Sequence, residues 1–483
     1  MDKRLGTFLL FLTLGTAACG DVVRVKDANI SIPGRFKNRQ SGDGFVLTEK
    51  YWESWKDPEL NALIEKGLKN NSDLKAAAFR IQRDFALAGG KKWDLIPSLS
   101  ANPRYQRLMT SKNTGQPIDL FGIPRNQNLY TLPLDFSYEI DFWGRVRNRV
   151  KAARAQARGT YYQYLDTSLL LTSEIAKTYF ALRENRLKTE SLERIVARRN
   201  AQAELAASLR QAGFNPEQEM LRQGELLNQA LSDLEMAKAE RLKNLSALAI
   251  LVNENPSEFE FQPKALDLAE EIAAPPETLP SEWIRTRPDI LASEQNILAQ
   301  NALAKSALAE FFPKFTFNAR FGVESLSLSN LVSRGSTFFG LGPTVSIPLL
   351  DIGRNLANYR AQKSEAHVSL EEYKKTVLTA FKDVEDRLAE FNDARAEFEN
   401  YLKSYRYSDR IAALDRSKRR AGFLSEKDFL ETETQAENAL LMAAMKKRQL
   451  LASTVDLLRS FGGGLRAELL LKADPAKIPT SRK

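Results

Sequence analysis

From Asn355 to Arg420 the chain holds neither proline nor glycine. Within that run Val377, Phe381, Val384, Leu388 and Phe391 recur at steps of four and three, the spacing of a helix packed along its length. At about 1.5 Å per residue, one helix over this stretch would be roughly 100 Å long. Typical soluble helices have about 11–12 residues, so no ordinary globular core calls for such a rod. It must dimerise as a coiled coil or bridge a distance, and its flanks bear on which. On the N-terminal side Leu341, Val345, Ile347 and Leu349 alternate with Gly342, Thr344, Ser346 and Pro348, a strand with one apolar and one small or polar face. On the C-terminal side Ala421-Gly-Phe-Leu-Ser425 offers a tight turn with a glycine for a positive-φ cap. A second helical pattern returns from Glu426 to about Ser460.

The same arrangement occurs earlier. Ser72 is a good N-cap, and a helix with an alanine-rich face runs from it to about Ile96, stopping at Pro97. Leu99, Ala101, Pro103 and Tyr105 then alternate with Ser100, Asn102, Arg104 and Gln106, which predicts one strand. Leu132, Leu134, Phe136, Tyr138 and Ile140 alternate with Pro133, Asp135, Ser137 and Glu139, which predicts another. Asp141-Phe-Trp-Gly-Arg145 opens a second very long helix, about Val146 to Arg210, ending at Gln211-Ala-Gly-Phe-Asn-Pro216 with a returning helix to about Val252. Residues 253–286 hold five prolines and read as a linker. Then the order repeats. Arg287-Pro-Asp-Ile290 matches Asn71-Ser-Asp-Leu74, Phe312-Pro313 matches Ile96-Pro97, and Asp351-Ile-Gly-Arg354 matches Asp141 to Arg145. Arg420-Ala-Gly-Phe423 matches Gln211-Ala-Gly-Phe214, and the offset stays near 210 residues. A tandem duplication of helix, two strands, long helix, turn and helix follows.

In the second copy Phe315, Phe317, Ala319, Phe321 and Val323 alternate with Lys314, Thr316, Asn318, Arg320 and Glu324. Strands of roughly 10 residues are long enough to cross an outer membrane. Four of them cannot close a barrel, for which about eight is the smallest number, and open edges in lipid are untenable. Closure must therefore come from other copies: two give eight strands, three give twelve. The apolar fraction of 43 % supports a large core. Basic and acidic residues, 70 and 61, are interleaved along the helices, which argues against a nucleic-acid surface.

The N-terminus reads as a secretory signal peptide over residues 1–18: Lys3 and Arg4, an apolar run from Leu5 to Leu14, then Gly15-Thr-Ala-Ala-Cys19. Cys19, the only cysteine, stands where a lipoprotein signal peptidase would leave a new N-terminus, with Thr16 where leucine is usual. A covalent lipid on Cys19 is the expected modification and no other cofactor is expected; a disulfide has no partner thiol. The remaining organisation is read as an anchored segment 19–71, repeats over 72–252 and 287–462 around the linker, and a tail 463–483.

Asp57-Pro-Glu-Leu60, Asn70-Asn-Ser-Asp-Leu74, Ile96-Pro97, Tyr138-Glu-Ile-Asp-Phe-Trp-Gly-Arg145, Arg287-Pro-Asp-Ile290, Phe312-Pro313, Ile347-Pro-Leu-Leu-Asp-Ile-Gly-Arg354 and Ala380-Phe-Lys-Asp-Val-Glu-Asp386 occur in this order between about residues 50 and 460. As an ordered set they resemble the TolC-like outer-membrane efflux factor family, its NodT-type lipoprotein branch in particular. That resemblance implies a mainly α fold with membrane β: a trimer with a twelve-stranded β-barrel on a twelve-helix α-barrel tunnel. It implies a passive export duct in the bacterial outer membrane, with a periplasmic adaptor and an inner-membrane RND-type pump as partners. The Gly-Pro-Asp-Tyr-like segment common after the anchor is missing between Cys19 and Tyr51.

By the same resemblance the periplasmic gate lies past the second turn, at Asp428 and Glu431, six and nine residues after Gly422. Three copies of each would crowd like charges, attract cations and raise their own pKa values. Two ordinary solvated acids on a helix is the plainer reading. Arg419 stands where a latching tyrosine is common and could pair with an acid instead. Gly213, Phe214, Gly422, Phe423 and Leu424 form apolar tips, expected to dock the adaptor; an ordinary helix C-cap is compatible with that. His367, the only histidine, has no histidine or cysteine near it, so no metal site is expected. No phosphate loop, G-x-S-x-G or H-E-x-x-H occurs, and no enzyme is expected. Besides a pump-coupled duct, three readings stand: a type I secretion duct for polypeptides, a periplasmic coiled-coil scaffold anchored by Cys19, and a carbohydrate-active or peptidoglycan enzyme.

Overall fold

The computed structural model describes residues 21–31, 36–37, 50–111, 124–214, 216–270, 272 and 281–464. The signal peptide, Cys19 and the tail beyond residue 464 lie outside the described residues. In chain order the elements are α1 (Pro58–Asn70), α2 (Ser72–Lys92), β1 (Ser98–Ala101), β2 (Arg104–Met109), β3 (Asn126–Ile140), α3 (Arg145–Gln211), α4 (Glu217–Leu251), α5 (Pro288–Ala309), β4 (Lys314–Ser325), β5 (Thr337–Ser346), α6 (Ile352–Arg420) and α7 (Glu426–Ser460). The rods are unbroken: α3 has 67 residues and α6 has 69. Among the described residues no helix is long and apolar enough to cross a membrane.

The chain groups into two compact units. A sheet unit gathers Met1–Asn29, Ile81–Thr160 and Ser293–Lys374; a turn unit gathers Ile30–Arg80, Tyr161–Ala292 and Lys375–Lys483. Each draws on both sequence repeats.

In the sheet unit all pairings are antiparallel along the path β1-β3-β4-β5, with β2 beside β3. The strand expected over 99–106 is two strands, because Pro103 has no N–H to donate and interrupts the ladder. Pairing resumes in the same register, Ala101 opposite Leu134 and Arg104 opposite Thr131. Register then gathers the alternating residues of both repeats on one face. Leu99 faces Phe136, Leu134 faces Phe321, Ile140 faces Phe315, Phe315 faces Val345 and Phe321 faces Phe339. Leu99, Leu132, Leu134, Ile140, Phe321, Phe339, Leu341 and Val345 are all exposed on that face. The opposite face is a polar ladder: Arg320 to Asp135 (3.2 Å), Ser137 to Asn318 (2.9 Å) and Asn318 to Thr344 (3.1 Å).

Gly322 sits on the polar face, where a Cβ would collide with the Leu132 carbonyl and lie 2.9 Å from Pro133 Cα and 2.9 Å from the Phe338 ring. Two of those neighbours are backbone, so the sheet itself would have to move. Gly322→Val is therefore expected to destabilise the sheet by about 1–3 kcal/mol or more. Thermal melting of the detergent-solubilised protein followed at a β-sheet circular-dichroism band checks this.

The two repeats use one device at their helix junctions. In the turn unit Asn71 accepts the Leu74 N–H at Oδ1 (3.0 Å), capping α2, and donates from Nδ2 to the Leu251 carbonyl (3.0 Å) at the end of α4. Its counterpart Arg287 donates to the Ser460 carbonyl (2.7 Å) at the end of α7 and to Asp383 (3.1 Å). In the sheet unit Asp141 accepts the Val146 and Arg147 N–H groups at 3.0 and 2.8 Å, Gly144 takes φ 80°, and α3 starts. Trp143 stacks on Phe312 (4.5 Å between centroids) and donates to the Pro313 carbonyl (3.0 Å). The motif that opens the first rod thus packs on the Phe-Pro motif of the second repeat. On α6, Val377, Val384, Leu388 and Phe391 are buried and Phe381 is half-buried, as the heptad spacing requires.

Candidate functional site

The candidate gate and tips fall within the turn unit. Both turns close by the same backbone bonds. Phe214 N–H reaches the Leu209 carbonyl (2.8 Å) and Gly213 N–H the Arg210 carbonyl (3.0 Å); Phe423 reaches Lys418 (2.9 Å) and Gly422 reaches Arg419 (3.0 Å). This is the Schellman pattern, and it needs the left-handed φ of 80° at Gly213 and 79° at Gly422. The caps leave the rings outside: Phe214 is 80 % and Phe423 83 % exposed, while Leu424 is half-buried. A cap needs a glycine but no solvated phenylalanine, so both rings are free to meet a partner.

Asp428 is exposed and sits in the first turn of α7, where Ser425 caps the helix. The Ser425 hydroxyl accepts the Asp428 N–H (3.1 Å) and donates to its carboxylate (2.7 Å). Glu431 is half-buried and accepts from Arg199 of α3 (2.7 Å) and from Gln202 (3.3 Å). Within the chain it moves opposite to the expected direction. Burial is the largest influence and acts upward, but the bonds from Arg199 and Gln202 and the charge of Arg199 carry Glu431 below the usual carboxylate range. Arg419 touches neither acid: it pairs with Glu426 and lies 4.9 Å from the centre of the Phe429 ring.

Glu431 belongs to a charge layer whose other members are not among the sequence-predicted site residues. Glu433, 7 % exposed, accepts from Arg198 of α3 (3.2 Å) and Arg416 of α6 (2.6 Å). Glu437 accepts from Arg194 (2.7 Å) and Arg198 (3.2 Å), and Lys427 meets Glu219 of α4 (2.7 Å). These pairs tie the returning helix of the second repeat, α7, to α3 and α4 of the first and to α6 of its own. The available signal is Arg194 with Arg198, and Glu433 with Glu437, each at i and i+4.

A second buried cluster lies in the same unit. Lys447, 2 % exposed, donates to the Glu270 carbonyl and stands 5.1 Å from the Phe398 ring centre. Burial pulls its ammonium down to about 8 from the usual 10.5. The sign follows: between those values the unfolded chain binds more protons, so stability rises with pH across that window. Below it a penalty of roughly 3 kcal/mol is fully present. Lys447→Met is expected to raise the melting temperature at pH 7 and to flatten the climb between pH 8 and 10.5. Thermal melts of both proteins across that range check it.

His367 is exposed on α6, and among the described residues no group of three metal-ligating side chains occurs.

The family profile described as outer membrane efflux protein matches residues 63–254 and 279–463. The chain is 30 % identical to the outer membrane protein OprJ of Pseudomonas aeruginosa, over 94 % of this chain and 95 % of that one. It is 26 % identical to the pyoverdine export outer membrane protein OpmQ of the same species, over 96 % and 98 % of the two chains. Among solved structures, the CmeC outer membrane channel of Campylobacter jejuni superposes with a TM-score of 0.82 at 25 % identity, covering 92 % of this chain and 93 % of that one.

Proposed function

This chain belongs to the outer membrane efflux protein family, and on that footing we propose that it is the passive outer-membrane duct of a tripartite export system. Its location is the outer membrane, and a periplasmic adaptor with an inner-membrane pump completes the path. The observation that carries the reading is the sheet: a wide exposed apolar face, a polar opposite face and, among the described residues, two open edges at β1–β2 and β5. Such a surface is stable in lipid only when the edges are paired. In three copies, with β1 and β2 counted as one interrupted strand, the pieces make a twelve-stranded barrel lined by the polar ladder. The long helices of the three copies continue it as a tunnel. Cys19 carries the lipid that holds each copy at the membrane, and the exposed Phe214 and Phe423 rings meet the adaptor. The charge layer around Glu431 and Glu433, with Asp428, forms the gate. The duct does no chemistry; the cargo is moved by the pump.

Reconstitution into planar lipid bilayers tests this. The expected result is a trimer by light scattering that gives discrete, poorly conducting single-channel steps. A water-soluble monomer that leaves the bilayer silent overturns it.

A further inference from the structure

A groove of about 340 Å³ opens in the sheet unit between the first turns of α3 and the middle of α5. Lys151, Arg154 and Arg158 line its α3 wall at steps of three and four, one face of the helix. All three are exposed, and among the described residues none has a carboxylate partner. Their neighbours one turn earlier are all paired: Arg145 with Glu139, Arg147 with Asp141 and Arg149 with Glu310. The α5 wall adds Lys305, and Gln295, whose side-chain oxygen is buried without a hydrogen-bond donor. Among the described residues the one acid on the rim is Asp21, held 2.8 Å from Lys305.

Asp21 places this groove relative to a bilayer. The chain just after it is clamped to α5: Asn301, 3 % exposed, accepts the Val23 N–H (3.1 Å) and donates to the Val23 carbonyl (2.8 Å). Two peptide units allow at most about 7 Å between Asp21 and Cys19. A lipidated Cys19 therefore brings the membrane surface to the rim of the groove. The sheet gives an independent bearing. β3 ends at Ile140 and α3 begins at Arg145, so Lys151 to Arg158 stand roughly 9–20 Å further along the helix, around the headgroup layer beneath the hydrocarbon.

We infer that this groove binds the headgroup of an anionic phospholipid from the periplasm-facing leaflet of the outer membrane. The inference rests on the reading above that the sheet lies in that membrane. Arg154 and Arg158 offer planar forks to a phosphodiester, Lys151 a third charge, and Gln295 an acceptor for a headgroup hydroxyl. Phosphatidylglycerol carries both groups. The site would act as a second, non-covalent attachment beside the acyl anchor.

The test is native mass spectrometry of the detergent-solubilised full-length protein with added phosphatidylglycerol or phosphatidylcholine. Wild-type protein should retain phosphatidylglycerol with an affinity higher by about tenfold or more, and Lys151→Gln/Arg154→Gln/Arg158→Gln should lose that preference. The charge-keeping Arg154→Lys/Arg158→Lys should keep it, and Asp21→Asn, which frees Lys305, should strengthen it. Equal retention of phosphatidylcholine, or an unchanged preference in the triple variant, overturns the proposal. So does displacement of the lipid by excess inorganic phosphate, which marks a free-anion site. Dissociation of the triple variant into monomers overturns it too, because the groove is then a subunit contact. Bilayer conductance is recorded on every variant: channels that persist without lipid preference sink the groove alone, and a silent wild type sinks the duct.

Discussion

Glu431→Gln/Glu433→Gln is expected to multiply the open fraction of the reconstituted pore about thirtyfold. Glu431 and Glu433 take four charged or polar bonds from α3 and α6, from Arg199, Gln202, Arg198 and Arg416. All four donors are on helices other than the one that carries the acids. Any opening that moves α7 away from α3 must break the bonds from Arg199, Gln202 and Arg198, whereas motions that carry the helices together leave them intact. Hydrogen bonds to charged groups are worth about 1.5–3 kcal/mol each where they are half-buried. Glutamine keeps weakened versions, so a net loss of about 2 kcal/mol is a fair value, and that is a factor of roughly thirty in a two-state population. Acid should act in the same direction. Glu431 and Glu437 both sit below their ordinary range in the folded chain, so their contribution is present above the unfolded value near 4.5 and is lost as pH falls below it. Asp428→Asn separates gate charge from clamping: Asp428 bonds to Ser425 of its own helix cap, so its substitution changes pore charge without loosening α7 and should raise the open fraction far less than the double variant does. Single-channel recording at pH 7 decides the matter. A correctly assembled double variant with wild-type open probability sinks the layer as a gate, and the swapped pair Arg199→Glu/Glu431→Arg should restore closure.

How far the fold can be read from the chain depends on whether the cause is local. Both rods are legible because a proline-free, glycine-free run with three-four spacing has one regular outcome; α6 begins three residues before Asn355 and ends at Arg420. The turns are legible because Gly213 and Gly422 supply a φ that other residues resist. The apolar sheet face is legible as alternation within each strand, although only register shows that the two repeats join on one face. Pro103 is where local reading falls short: the alternation continues through it, but the missing donor divides the strand. The candidate site is less legible. The positions of Asp428 and Glu431 can be counted from the turn, yet their surroundings depend on which helices face each other. Arg199 lies 232 residues from Glu431, and no periodicity in either helix announces the pair. Arg419 is the local exception: it pairs with an acid as expected, and that acid is Glu426, just across the turn.

The sharpest loss of stability is expected at Arg183, which is 5 % exposed. It donates to Asp57 (3.3 Å), to Glu270 (2.9 Å) and to the Ala265 carbonyl (3.4 Å), and it lies 5.8 Å from the Tyr179 ring centre. Asp57 is itself heavily committed. One carboxylate oxygen caps α1 by accepting the Glu59 and Leu60 N–H groups; the other accepts the Tyr179 hydroxyl (2.7 Å) beside the guanidinium. Burial, and then the bond to Asp57, push the Tyr179 phenol far above its ordinary range, so it stays a donor at any working pH. The Asp57-Pro-Glu-Leu motif is therefore a junction where a helix start, a buried tyrosine and the segment around Glu270 share one cation. Arg183→Met keeps the volume but strands Asp57 without its counter-charge in a poorly solvated place, which costs about 3–5 kcal/mol. Asp57→Asn should cost less, about 1–2 kcal/mol, because asparagine still caps the helix. Both numbers are read as shifts of the unfolding midpoint in denaturant titrations of the detergent-solubilised protein. Limited proteolysis locates the effect: cleavage around Ala265–Glu270 should appear in Arg183→Met well before cleavage in the sheet unit. A variant as resistant as the wild type would mean that the aspartate is adequately held by Tyr179 and the helix start alone.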